Sequence, residues 1–500
     1  MTLAAWARAS AVVLAQALVF VPLSIVRFID GDEGSYALAA KLVVQGERPY
    51  RDFAYPQMPL LPYVYGAWTA LTAESWYSVR VLSALFAVAL GSLLYATLAS
   101  RFGSRLGALG VLLYSSSALV FFWFPTLKTY VVPTFLLFAA YVVVARQVHV
   151  PSRRWFLAGV LVALAVDSRL LFASAVPAFA WGAVQAWRAR EGTRPLVTLG
   201  SGVVVGLAPA WFFLVLDPSR FTYDSLRAYG QTSSGLIGDL DQKVRVLENL
   251  VGIGTPAGAV PQFLLLIIGG VTAALVLHVV CGGLPLSLVI AACLAVGNLA
   301  PTPTYAQYFC TTVPFLVVAI VELAGTLRER LRAIEDPGLA RMIGVLMAVG
   351  TVAYVVIGAA ELERSVGLYP DQRISSVRPI ARIVDDQSEP GERVMASWPG
   401  YLFETDALPV KGLESDFAPL AASFLTPAQA RHHLRASVDE IERMIREHTT
   451  RVVVVKMWHV GEPIPDWWGT TARSGYLLMT EIPAGDSEVG GQVRVYVLDR

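Results

Sequence analysis

The chain has 500 residues, 55% of them hydrophobic and 15% charged, where a typical soluble domain carries about 25% charged residues. That shortfall, with many long apolar runs, excludes an ordinary soluble enzyme and marks a polytopic α-helical membrane protein. A formal net charge of +1 says nothing of partners, and no basic cluster points to nucleic acid.

A hydrocarbon core takes roughly 20 apolar residues per helix. On that measure spans are expected at 10–28, 78–99, 106–124, 129–147, 154–167, 170–187, 196–216, 260–280, 284–299, 306–326 and 341–360, eleven in all. Arg8 precedes the first run as in a signal peptide, but no small-residue cleavage pattern follows it, so the run reads as a retained helix.

The stretch after it, "FIDGDEGSYALAAKLVVQGERPYRDF", places Asp30, Asp32 and Glu33 within four positions, and Asp52 follows in "PYRDF". One acid would suffice to cap a helix starting near Ser35. A cluster of acids exceeds that need and suits a general base or a hard-cation site. "GSYALAAKLVVQG" and "PQMPLLPYVYGAWTALT" are too short or too proline-broken to span. They read as helices lying in the interface, with Tyr63, Tyr65 and Trp68 at headgroup depth.

Further along, Lys128 sits in the short turn "WFPTLKTY", where the plain alternative is snorkelling to the interface. The stretch 154–187 is too long for one helix and is expected to break around Asp167-Ser168-Arg169. Arg169 in "VDSRLLF" lies nearly inside the bilayer, where a charge needs a partner or a task, and Asp167 is the structural alternative. "NLAPTPTYAQYF" brings Tyr305, Gln307 and Tyr308 to the same side, either as donors or as ordinary interfacial anchors. Cys281, Cys293 and Cys310 lack ligand-like spacing and read as small packing residues.

Past residue 361 the composition becomes that of a soluble domain. "SVDEIERMIREH" reads as a helix capped by Ser437, "RVVVVKM" as a buried strand, and "GYLLMTEIP" with "QVRVYVLD" as two more strands. The expected organisation is therefore a transmembrane part, 1–360, with structured outer loops 29–77 and 217–259, and a small α/β domain, 361–500. That domain shows no Gly-rich phosphate loop, and His432, His433 and His459 read as solvated or packed.

Orientation follows the arginines. Arg101 and Arg105, Arg153 and Arg154, Arg188, Arg190 and Arg194, and Arg328, Arg330 and Arg332 share one side, which should be the cytoplasm. The amino terminus then lies inside, and the acidic loop and the C-terminal domain lie outside. Lys41, Arg48 and Arg51 run against that bias. On the outer side, acids on one loop and Lys, Arg and Tyr donors on others describe a cleft able to hold a phosphate beside a group that must lose a proton.

"DGDEGSYALAAKLVVQGERPYRDFAYPQMPLLPYVYG" resembles the first outer loop of the GT-C class of membrane glycosyltransferases. It is most similar to the bacterial relatives of the dolichyl-phosphate-mannose protein mannosyltransferases and the lipid A aminoarabinose transferase. The resembling features are the Asp-Glu pair after the first span, the "G-x-x-P-Y" step and the Pro-rich segment, with "PTYAQYF" and Pro314 later.

The resemblance implies inverting transfer of a hexosyl or pentosyl group from a polyprenyl-phosphate donor to a protein, lipid or glycan acceptor on the outer face of the cytoplasmic membrane. It implies Asp32 as general base, with Glu33 supporting it or touching the acceptor. It implies Lys128, Arg169 and the Tyr305/Tyr308 loop as phosphate holders; Asp52 and Gln307, on the same side by the residue reading, are further substrate-binding candidates. Some relatives carry another acid in the second outer turn, and "FWFPTLK" has none. No cofactor is demanded, although Asp30, Asp32, Glu33 and Asp52 could hold Mg²⁺ or Mn²⁺. The rival readings are a glycolipid transporter or flippase, which should show internal repeats and midplane charges, and a non-catalytic membrane scaffold.

Overall fold

The computed structural model describes residues 3–145, 151–191, 194–228, 240–253, 261–334, 337–367, 372–456, 467–482 and 493–499. Helices dominate up to residue 367. The first, α1 (Leu3–Val26), is followed by two loop helices, α2 (Gly31–Val44) and α3 (Leu60–Leu71). Then come α4 (Trp76–Phe102), α5 (Ser104–Ser115), α6 (Ala118–Trp123), α7 (Val131–Ala145), α8 (Pro151–Ser168), α9 (Val176–Ala186), α10 (Arg194–Gly206) and α11 (Ala208–Leu216). Four further helices, Pro261–Cys281, Leu286–Leu299, Val313–Ile334 and Pro337–Gly367, complete the bundle.

Each expected span meets helical structure, but not all of it is span-like. Among the described residues, six helices are long and apolar enough to cross a membrane, or seven if the α10–α11 pair, bent by 52°, is one span. The segment expected at 106–124 is two helices, broken at Ser116–Ser117. The break near Asp167 is present: α8 stops at Ser168, Arg169 is extended (φ −160°, ψ 122°), and a 3₁₀ turn follows at Leu170–Ala175.

The C-terminal part carries a five-stranded sheet in the order β2-β1-β3-β5-β4, from β1 (Arg393–Ala396), β2 (Leu408–Pro409), β3 (Val452–Lys456), β4 (Leu477–Ile482) and β5 (Val493–Val497). β1 runs parallel to β2 and β3, while β5 is antiparallel to β3 and β4. The helix Val438–Arg446 starts at Ser437, whose Oγ accepts the Glu440 N–H at 3.3 Å. All three strands expected from the sequence are there. His432 is exposed and meets Ser219, His433 stacks on Tyr223, and His459 lies outside the described residues.

This sheet domain sits on the first loop, and that corrects the interfacial reading of α2. Residues Glu33 to Leu42 are all buried. The Trp398 indole donates to the Gly31 carbonyl at 2.6 Å, and a Cβ on Gly34 would lie 2.5 Å from that ring. Only glycine lets the two surfaces approach so closely. Lys41, an apparent exception to the arginine bias, is 1% exposed. Its ammonium donates to the carbonyls of Leu402 at 2.9 Å and Thr405, and it pairs with Glu74 at 3.3 Å. Tyr65, expected at headgroup depth, is buried with its hydroxyl 2.8 Å from Ser83 Oγ, while Tyr63 is exposed and the Trp68 indole donates to the Ser78 carbonyl. From Glu33 to Leu42, α2 is covered on every side, so its apolar residues need not keep to one face.

A candidate active site under the C-terminal domain

Asp30 is the N-cap of α2: its Oδ1 accepts the Asp32 N–H at 3.2 Å, and Glu33 Oε1 accepts the Asp30 N–H at 2.8 Å. This capping box fixes which way the neighbouring carboxylates point. Glu33 turns inward and is 0% exposed. Arg80 of α4 meets it with both edges, Nε to Oε2 at 2.9 Å and Nη2 to Oε1 at 2.7 Å, and the Leu127 N–H adds a bond to Oε2 at 2.8 Å. With the Asp30 N–H, Glu33 thus accepts four hydrogen bonds and has no lone pair left for a substrate. Its role as an acceptor contact gives way to that of a clamp between the acidic loop and the 124–130 turn.

Lys128 lies in that turn and is 2% exposed; its ammonium bonds both Asp30 Oδ1 and Asp32 Oδ2. Neither snorkelling nor a free phosphate-holding cation describes it: its charge is spent on the carboxylate pair. Asp32 is the more open of the two, with 30% of its side chain exposed against 21% for Asp30. Among these acids Asp32 is the one that reaches outward.

Arg169 bonds Thr129 Oγ1, and its guanidinium carbon lies 4.7 Å from the Tyr130 ring and 4.6 Å from the Tyr308 ring. The extended backbone at Arg169 delivers it there. Tyr308 is half-buried and lies within electrostatic reach of Asp32, Lys128 and Arg169. Tyr305 is 46% exposed and packs edge-on to Tyr308 at 5.6 Å, and Gln307 is half-buried on the same turn. The structure therefore brings together Asp30, Asp32, Lys128, Arg169 and Tyr308.

It does not bring in Asp52 by any contact. That carboxylate closes its own turn, accepting the Arg48 N–H at 2.8 Å and pairing with Arg48 Nε at 3.2 Å. The four acids do not converge on a cation position, since Arg80 and the backbone saturate Glu33 and Lys128 bridges Asp30 and Asp32. Among the described residues, no group of three or more His, Cys, Asp or Glu side chains is arranged to hold a metal.

The C-terminal domain adds a group that sequence reasoning missed. Asp416 Oδ1 accepts the Ser35 hydroxyl at 2.5 Å, and the Asp416 N–H donates to Ser35 Oγ at 3.3 Å. Burial and the Asp32 charge push its carboxyl up to about 7, against the pull of Ser35 and Lys128. A folded-state value above the unfolded one favours the protonated form on folding. The resulting stabilisation is complete below pH about 4 and is lost as pH rises through about 7. Asp416→Asn should therefore gain in melting temperature relative to the parent between pH 5 and 8, with no gain at pH 4. Parallel melting curves that never diverge would contradict the placement of Asp416 beside Asp32.

Comparison with known proteins follows the same outline. Residues 55–213 match the family model described as dolichyl-phosphate-mannose-protein mannosyltransferase, a segment that includes Lys128 and Arg169 and begins after the acidic cluster. No curated protein matches the sequence. The chain is similar over its whole length to the crystal structure of ArnT from Cupriavidus metallidurans bound to undecaprenyl phosphate, with a TM-score of 0.62, 12% identity, and 99% of this chain and 98% of that chain covered. The apo state of the same ArnT gives a TM-score of 0.63 at 13% identity, with 98% of each chain covered. The chain thus shares the fold of ArnT, which is that of the GT-C membrane glycosyltransferases.

Proposed function

We propose that this protein transfers a sugar from a polyprenyl-phosphate donor to an acceptor at the end of the bundle that carries α2 and the C-terminal domain. One observation carries the reading: an outward carboxylate, Asp32, is fixed by a buried lysine beside an arginine set between two tyrosines. ArnT, similar in fold, binds undecaprenyl phosphate, and a long apolar bundle under such a site suits a donor whose tail stays in lipid.

Asp32 takes the proton from the acceptor hydroxyl or amine as that atom attacks the anomeric carbon. The bond from that carbon to the phosphate oxygen breaks on the opposite face, with inversion, and its electron pair leaves on the polyprenyl phosphate. The transition state resembles an oxocarbenium ion. Arg169, with the hydroxyls of Tyr308 and Tyr305, opposes the charge developing on the departing oxygen. A lipid phosphate is already a good leaving group, so neither a general acid nor a divalent cation is required. Lys128 and Asp30 hold Asp32 in place, Glu33 and Arg80 hold Lys128's turn, and the sheet domain covers the site.

The site end is taken as the outer face of the cytoplasmic membrane. The start of α4 lies against the C-terminal domain, with the Trp76 N–H on Glu404 Oε1 at 2.8 Å, while Arg101 lies at the far end of that helix and Arg105 in the first turn of the next. The test is twofold. Cells lacking the protein should lose one sugar from one envelope glycan, glycolipid or glycoprotein, and a reporter after Arg500 should be active only outside the cytoplasm. An unchanged envelope with altered distribution of a lipid-linked sugar across the membrane would favour a flippase instead.

A further inference from the structure

Arg27, just after α1, is 1% exposed, and none of its three guanidinium nitrogens meets a hydrogen-bond acceptor among the described residues. Its guanidinium carbon lies 4.6 Å from the Phe28 ring, 4.6 Å from Trp123 and 5.1 Å from Phe122. Aromatic faces attract a cation but leave the in-plane N–H groups without acceptors. The surrounding charges do not fill the gap. Glu33 is saturated by Arg80 and backbone, Asp30 is taken by Lys128, and the Arg80 guanidinium nearby adds repulsion. A buried charge without hydrogen-bonded compensation is costly to keep. It is retained where an anion completes it.

The position of that anion is constrained. Trp123 is shared between Arg27 and the Lys128 ammonium, which lies 5.8 Å from the same ring and bonds Asp32. Phe122 and Trp123 are only half-buried, so the cage has an open side. An anion reaching Arg27 through that side would stand at the Trp123 ring that Lys128 also approaches, with Asp30 in electrostatic reach. It would complete a guanidinium that offers five donors in a planar fork, the geometry suited to phosphate.

We propose that Arg27 is a phosphate-binding residue of the site, engaged by the phosphate of the lipid donor and left uncompensated without it. The inference rests on the transferase reading and assigns the donor phosphate to a residue that the reading did not use.

The experiment uses the full-length protein in detergent, with undecaprenyl phosphate and, separately, inorganic phosphate as probes, and compares the parent with Arg27→Met and Arg27→Lys. Without ligand, Arg27→Met should melt at or above the parent's temperature, because an uncompensated buried charge has been removed. Undecaprenyl phosphate should raise the melting temperature of the parent, and its affinity should fall roughly tenfold to a hundredfold in Arg27→Met, the effect of losing charge-assisted hydrogen bonds. Arg27→Lys should retain part of the affinity. A shift with the lipid alone assigns the site to the lipid-borne phosphate, and an equal shift with inorganic phosphate assigns it to the free ion.

If Arg27→Met melts well below the parent and binds undecaprenyl phosphate as tightly, Arg27 is a structural cation of the aromatic cluster. That result overturns this inference and leaves the transferase reading intact. A parent protein that does not bind undecaprenyl phosphate at all overturns both.

Discussion

Glu33→Ala is expected to destabilise the folded protein by about 3–5 kcal/mol, the usual cost of removing one partner of a buried ion pair. The reason is local. Arg80 is 0% exposed and would keep its charge with no counter-ion, still held by the carbonyls of Ser24 at 3.2 Å and Arg27 at 2.8 Å. The N–H groups of Leu127 and Asp30 would also lose their acceptor, each a buried donor left unmade. Glu33→Gln keeps the shape and one acceptor oxygen, so its loss should be smaller. Thermal or denaturant unfolding of the purified protein in detergent measures both. Full stability in Glu33→Ala together with lost transfer would instead make Glu33 a chemical participant, as the family resemblance implies.

That clamp shows where the sequence was readable and where it was not. The spacing Asp30-x-x-Glu33 is a capping-box pattern, yet a cap for a helix near Ser35 accounts for only one acid of the cluster, and the box itself places Glu33 inward. Arg80 in "YSVRVLSALF" and Arg27 in "IVRFI" are charges among apolar residues. The rule that singled out Arg169 applies to them equally, so that signal was present. The break at Arg169 and the three strands at 452–456, 477–482 and 493–497 were legible because local charge and β-branched runs decide them.

Other features had no local signal. Ser35 and Asp416 are 381 positions apart, and their contact exists only because the sheet domain folds back over α2. The same long-range packing makes α2 a buried helix and Lys41 a buried cap for the 399–402 turn. Composition placed both at a membrane surface because it cannot tell lipid from a covering domain.

The second large effect concerns Asp32. Asp32→Asn preserves size and lets the side chain still meet Lys128, but it cannot accept a proton. Turnover should fall by about 10²-fold or more, in the range for loss of a general base. Asp30→Asn should do much less, because Asn is as good an N-cap as Asp and Asp30 is the less exposed partner of Lys128. Binding of the lipid phosphate should survive in both variants, since the groups proposed to hold it are Arg27, Arg169 and Tyr308.

The most direct measurement is therefore single-turnover transfer of a labelled sugar from its undecaprenyl-phosphate donor, in lipid, by the parent, Asp32→Asn and Asp30→Asn, with donor binding followed in the same preparations. The account predicts transfer lost in Asp32→Asn alone, with donor binding kept in all three. Near-normal transfer by Asp32→Asn, or activity restored to it by added Mg²⁺ or Mn²⁺, would contradict a carboxylate base at this position.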